Sequence, residues 1–160
     1  MTQTSVVSEE RRLGIRELLA FTGMALGMFL AVLNIQIVGS SFDQIKAGLA
    51  AGPEEVSWVL TSALMAEVIM IPMSGWLSRL MSTRWMFTGC LLGFGLASIG
   101  CAVATNIEQM IIFRAAQGFM GGGLAPMIWA AIYVSFPRRY QNYLLAIVSL
   151  LGTSAVALGP

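Results

Sequence analysis

Five apolar runs, separated by short charged connections, constrain this chain more than any other feature. Four are long enough to cross a hydrocarbon core, at about 20 residues each: 18–40, 56–77, 85–104 and 110–136. A fifth begins near residue 143 and runs to residue 160. Only 11% of the residues are charged and 57% are hydrophobic. A soluble domain of this size needs more charge on its surface, so the composition defines an all-α integral membrane protein. The reading divides into an N-terminal tail, 1–17, and a transmembrane helical bundle, 18–160.

The connections alternate in charge. "EERRLGIRE", "SRLMSTR" and "FPRRYQN" hold Arg11, Arg12, Arg16, Arg79, Arg84, Arg138 and Arg139. The opposite set, "SFDQIKAGLAAGPEE" and "TNIEQ", holds Lys46 against Asp43, Glu54, Glu55 and Glu108. This bias predicts a multi-pass protein of the cytoplasmic (inner) membrane with its N-terminus in the cytoplasm. The N-terminal stretch has no short apolar region followed by a small-residue cleavage site, so no cleaved signal peptide is expected. The pair Arg11-Arg12 is preceded by glutamates and followed by a long span, unlike a twin-arginine signal.

There is no histidine. Proton handling near neutral pH therefore falls to carboxylates. Cys90 and Cys101 lie eleven residues apart in one span, about 16 Å of helical rise, too far to form a disulfide within that helix. No metal-ligand cluster or nucleophile motif is present, and neither an enzyme nor a nucleic-acid partner is expected. In "GPEEVSW", Pro53 suits a first helical turn, Glu54 and Glu55 favour the positive end of the dipole, and Trp58 suits the interface. Pro72 and Pro126 are expected to bend their spans. The glycine pairs 23/27, 89/93 and 118/122 have the spacing that lets helices approach closely.

Two ionisable residues fall inside spans. Glu67 lies near the midpoint of the second, where a charge is costly, so it must be neutral, paired or in a wet cavity. Two roles fit: a proton-titrating or cation-anchoring site, or a protonated acid hydrogen-bonded to another helix. Arg114 lies four or five residues into the fourth span. It either snorkels to headgroups or faces a cavity, and Gln117 on the same helix face favours the cavity. Asn34 and Gln36 lie at a similar depth in the first span. Residues two apart on a helix cannot both point straight into one cavity.

These residues resemble the major facilitator superfamily, specifically the N-terminal part of the fourteen-helix drug:proton antiporters of the EmrB/QacA type. "FRAAQGFMGG" is similar to the fourth-helix pattern through Arg114, Gln117 and Gly118, and "IPMSGWLSRLMSTRW" to the loop 2–3 pattern through Gly75, Leu77 and Arg84. "SAVALGP" resembles the opening of the antiporter motif of helix five, with Gly159 and Pro160 as its Gly-Pro. "VLNIQIVGSS" resembles the first-helix motif, with Asn34 in place of its aspartate and Gln36 in place of its threonine. In loop 2–3, Arg79 replaces the pattern's aspartate and Ser82 its second glycine; Ala155 replaces a glycine in helix five.

The resemblance implies a proton-coupled exporter of amphiphilic small molecules, working by alternating access between two helical bundles. It implies no bound cofactor, the proton gradient supplying the driving force, and as partners the lipid bilayer, a small-molecule substrate and a periplasmic adaptor protein. Glu67 becomes the expected proton carrier because Asn34 cannot titrate, with Arg114 as its expected counter-charge. Met65, Phe119 and Trp129 are expected to line a permissive site. Relatives of this type are longer, so the chain is expected to be a truncated portion that does not transport alone. Transport of another solute such as an organic anion, or a small non-transporting bundle, are the alternatives.

Overall fold

The computed structural model describes residues 15–49 and 51–158. Arg11, Arg12, Gly159 and Pro160 lie outside the described residues. Seven helices follow in order: α1 (Ile15–Ser40), α2 (Phe42–Gly48), α3 (Pro53–Leu80), α4 (Thr83–Ala102), α5 (Ile107–Gly122), α6 (Leu124–Ser135) and α7 (Arg138–Leu158). Five stretches of helix are long and apolar enough to cross a membrane, α5 and α6 forming one of them. The described residues contain no strand. The fold is the all-α membrane bundle expected from hydropathy.

The helices of the spans begin before the apolar segments, because hydropathy marks the hydrocarbon while hydrogen bonding marks the helix end. At α3, Pro53 takes the first turn and the Gly52 amide donates to Glu55 Oε2 at 2.8 Å. At α5, Asn106 Oδ1 accepts from the Gln109 amide at 2.9 Å. Gln109 Oε1 in turn accepts from the Thr105 amide at 3.2 Å. This cap starts the helix at Ile107, three residues before the apolar run. The last helix starts at Arg138, not near 143, since a helix can continue beyond the bilayer. Gln141 Nε2, one turn into α7, donates to Phe136 O at 2.9 Å and Tyr133 O at 3.2 Å, satisfying carbonyls freed at the end of α6.

Pro72 lies within α3 without ending it. Two departures from the sequence reading concern the fourth span and a loop. The fourth span, read as one run over 110–136, divides into α5 and α6 at Gly123. Gly123 keeps helical angles, φ −79° and ψ −21°. The break is a loss of hydrogen bonding: Pro126 has no N–H for the carbonyl four residues back, that of Gly122. The loop between the first two spans also contains the short helix α2, too brief to produce a hydropathy signal.

α3 packs most extensively on α5, and α4 covers another side of α5. α1 instead packs on α6 and α7. Phe21, Met28, Ile128, Ile132, Leu144 and Val148 form one apolar core at the α1–α6–α7 junction. Phe21 meets Phe136 edge-on, with centroids 5.8 Å apart. A second core joins Met70, Met86, Phe87, Cys90, Leu124 and Met127. Elsewhere large apolar side chains such as Leu96 and Val134 face outward, as lipid-facing helices require.

Of the three glycine pairs, only Gly118/Gly122 makes a close backbone contact with another helix at both positions. A Cβ on Gly118 would collide with the Ala63 carbonyl, and one on Gly122 would lie 2.7 Å from the Glu67 carbonyl oxygen. Gly27 and Gly93 meet side chains of Phe87 and Met120, while Gly23 and Gly89 have nothing within 4 Å. Spacing alone could not rank these pairs, because each needs a facing helix to have a use.

Candidate functional site: a polar cluster beside a central cavity

The contact of Gly118 with Ala63, and of Gly122 with Glu67, sets the register of α3 against α5. The two helices run in the same direction, and Arg114 lies level with the turn near Val59. Glu67 is two turns along, roughly 12 Å at helical rise. The expected Arg114–Glu67 pairing is therefore not made, and Arg114 has no ion pair among the described residues.

Arg114 instead bridges to neutral groups. Its Nη1 donates to Asn34 Oδ1 at 2.9 Å and to Gln117 Oε1 at 2.7 Å. Gln117, 3% exposed, passes the polarity on: its Nε2 donates to Ser98 Oγ at 2.5 Å, and Ser98 Oγ donates to Phe94 O at 2.8 Å. Three spans are thereby joined, through Asn34 on α1, Ser98 on α4 and Arg114 with Gln117 on α5. The first-helix position that lacks a carboxylate still supplies the acceptor. Ser98 was invisible to sequence reasoning, because helical serines ordinarily bond to their own backbone.

The cluster faces a cavity of about 60 Å³ between α1, α3 and α5. That volume admits a few waters. Asn34, Glu67, Arg114, Gln117 and Gly118 line it, with Met28, Val59, Leu60 and Phe94 among the apolar residues. Glu67, half-buried on α3, forms no hydrogen bond or ion pair among the described residues. The hydrogen bond to another helix that was one expectation for Glu67 is thus absent among the described residues, and the acid lines the cavity. Gln36 is half-buried and lines no part of this cavity, since a two-residue step turns it about 200° from Asn34. Met65, Phe119 and Trp129 do not line it either. Met65 and Trp129 point outward, at 58% and 38% exposure, and Phe119 packs on the second core.

The loop 2–3 residues lie apart from this cavity. Gly75 has open space around its α-carbon, and Arg79 and Arg84 are exposed. Neither arginine forms an ion pair among the described residues. Among those residues, no group of three or more His, Cys, Asp or Glu is placed to hold a metal.

Replacing Ser98 by alanine leaves Gln117 Nε2 buried without its acceptor. The expected cost is about 1 kcal/mol, within the range of interhelical hydrogen bonds in membranes. A lower thermal midpoint for the purified Ser98→Ala protein checks this.

The bundle, with polar groups set into an otherwise apolar cavity wall, defines a multi-pass membrane protein. The chain belongs to the Major Facilitator Superfamily, whose model matches residues 24–160. It is 44% identical over 140 residues to the colistin resistance protein EmrB of Acinetobacter baumannii, covering 88% of this chain and 27% of that protein. It is 31% identical over 144 residues to the fatty acid resistance protein FarB of Neisseria gonorrhoeae, covering 89% of this chain and 28% of FarB. Against the multidrug export protein EmrB of Escherichia coli K12, identity is 28% over 137 residues, covering 86% of this chain and 27% of that protein. The chain thus spans little more than a quarter of the length of these relatives.

Proposed function

We propose that this chain is the N-terminal portion of a proton-coupled exporter of amphiphilic drugs or similar small molecules, acting by alternating access in the cytoplasmic membrane. Its N-terminus lies in the cytoplasm, in keeping with the arginines at one end of the spans. A periplasmic adaptor is a candidate partner, and no catalytic turnover or bound cofactor is involved. The observation that carries the reading is Glu67: a lone carboxylate on the wall of a largely apolar cavity, with no partner among the described residues. A carboxylate there takes and releases a proton as the cavity opens to one side and then the other. The similarity to proteins named for multidrug export and for colistin and fatty acid resistance supports an amphiphilic substrate.

The test is efflux of a fluorescent amphiphile from vesicles carrying the full-length protein. Efflux is expected to stop when an ionophore collapses the proton gradient. Efflux indifferent to the ionophore but dependent on ATP sinks the proposal.

A further inference from the structure

A second cavity, of about 280 Å³, also borders Arg114. It is walled by α1, α2, α4 and α5 and includes Ser41, Ile45, Ser98, Cys101, Met110 and Arg114. No carboxylate lines it, so Arg114 brings a positive charge that nothing in the cavity balances.

The state of the guanidinium specifies the chemistry it can bind. Nη1 uses its two hydrogens on Asn34 and Gln117. Nε is buried with no hydrogen-bond partner. Nη2 has none among the described residues either. The Nε/Nη2 edge is the fork that receives a carboxylate through two parallel hydrogen bonds. A buried, charged donor without an acceptor is unfavourable, and such groups call for an explanation.

The geometry points to an anion-binding site in this second cavity, in which the free edge of Arg114 takes the carboxylate of a monoanionic amphiphile. The carboxylate reaches the Nη2 corner first, and a small rotation of the side chain brings Nε into the second bond. Ser41 adds a hydroxyl to the polar lining, while Ile45 and Met110 offer apolar surface to the tail. Methionine and aliphatic walls tolerate tails of different shape. The site rests on the geometry around Arg114 and not on the exporter reading, and its test measures binding, so the two fail separately.

Cys101 makes the cavity addressable. In full-length protein held in lipid nanodiscs, with Cys101 as the sole thiol, its modification is followed with two methanethiosulfonates. One carries a sulfonate and the other a trimethylammonium group, and each rate is normalised to that with a free small thiol. The anionic reagent is expected to react about tenfold faster, as an uncompensated charge in a protein interior implies. Decanoate is expected to slow it, and decyltrimethylammonium to leave it unchanged. Arg114→Gln is expected to remove both the charge preference and the decanoate protection. Arg114→Lys keeps the preference but loses most of the protection, because an ammonium lacks the fork. Equal rates for the two reagents in the unmutated protein overturn the proposal, as does decanoate protection that survives Arg114→Gln. Protection by phosphatidylglycerol in the disc but not by decanoate also overturns it, assigning the charge to a lipid phosphate.

Discussion

Glu67→Gln in the full-length protein is expected to reduce proton-driven efflux about 100-fold, the lower end of what removing a proton-transfer group costs. The substitution keeps the shape and hydrogen-bonding capacity of the side chain and removes only its ability to titrate. It should leave the fold intact, because Glu67 holds no hydrogen bond or ion pair among the described residues. Asn34 lines the same cavity but carries an amide, and its oxygen already accepts from Arg114. Gln117 is likewise an amide committed to its neighbours. Among the residues lining the cavity, Glu67 is thus the sole carboxylate. Efflux from vesicles under an imposed pH difference, with protein abundance and thermal midpoint measured alongside, is the check. Undiminished coupling in Glu67→Gln removes this residue from the mechanism.

Two glycine-to-alanine changes should act in opposite directions. Gly118→Ala places a methyl group against the Ala63 carbonyl, a backbone atom that cannot swing aside. α3 and α5 must then separate along the most extensive helix contact of the bundle. Overpacking of this kind costs about 1–3 kcal/mol, and a clash with backbone belongs at the upper end. Gly89→Ala meets nothing within 4 Å. It should be neutral or stabilise by up to about 1 kcal/mol, since alanine restricts the unfolded chain and favours helix. The thermal midpoints of the two purified variants, measured in one detergent, give the comparison. A midpoint for Gly118→Ala at or above that of Gly89→Ala would show that the close approach carries no stability. The Gly118 change should also impair transport, because the same contact sets Glu67 and Arg114 two turns apart.

Sequence legibility differed sharply between the bundle and its site. The five spans could be read without a structure, since hydrocarbon admits only backbone that satisfies its own hydrogen bonds. Each span therefore had to be an apolar helix of nearly fixed length. Arg114 and Gln117 could also be read as a directional polar face, because polar groups inside a membrane are costly enough to be conspicuous. The proline at 126 announced a disturbance, although the position of the break, at Gly123, followed from which carbonyl lost its donor.

Partner choice was not legible. The charge reading matched Arg114 with Glu67, as the acid within the spans. The packing of Gly118 on Ala63 and Gly122 on Glu67 instead keeps the two apart. Asn34 stands where the resembled first-helix motif has an aspartate, yet its amide oxygen holds Arg114. Ser98 gave no signal at all. The apolar residues expected around the cavity, Met65 and Trp129, turned outward, because hydrophobicity cannot distinguish a lipid-facing side chain from one lining a pocket.

Local hydropathy and hydrogen-bonding rules thus determined that this chain is a helical membrane bundle, where its spans lie, and that polar groups interrupt them. Only the tertiary structure decided which polar groups meet. That outcome depends on the rotation and register of whole helices, which are set by contacts such as Gly118 against Ala63. Between helices a shift of one turn displaces a side chain by about 5 Å, more than a hydrogen bond can span.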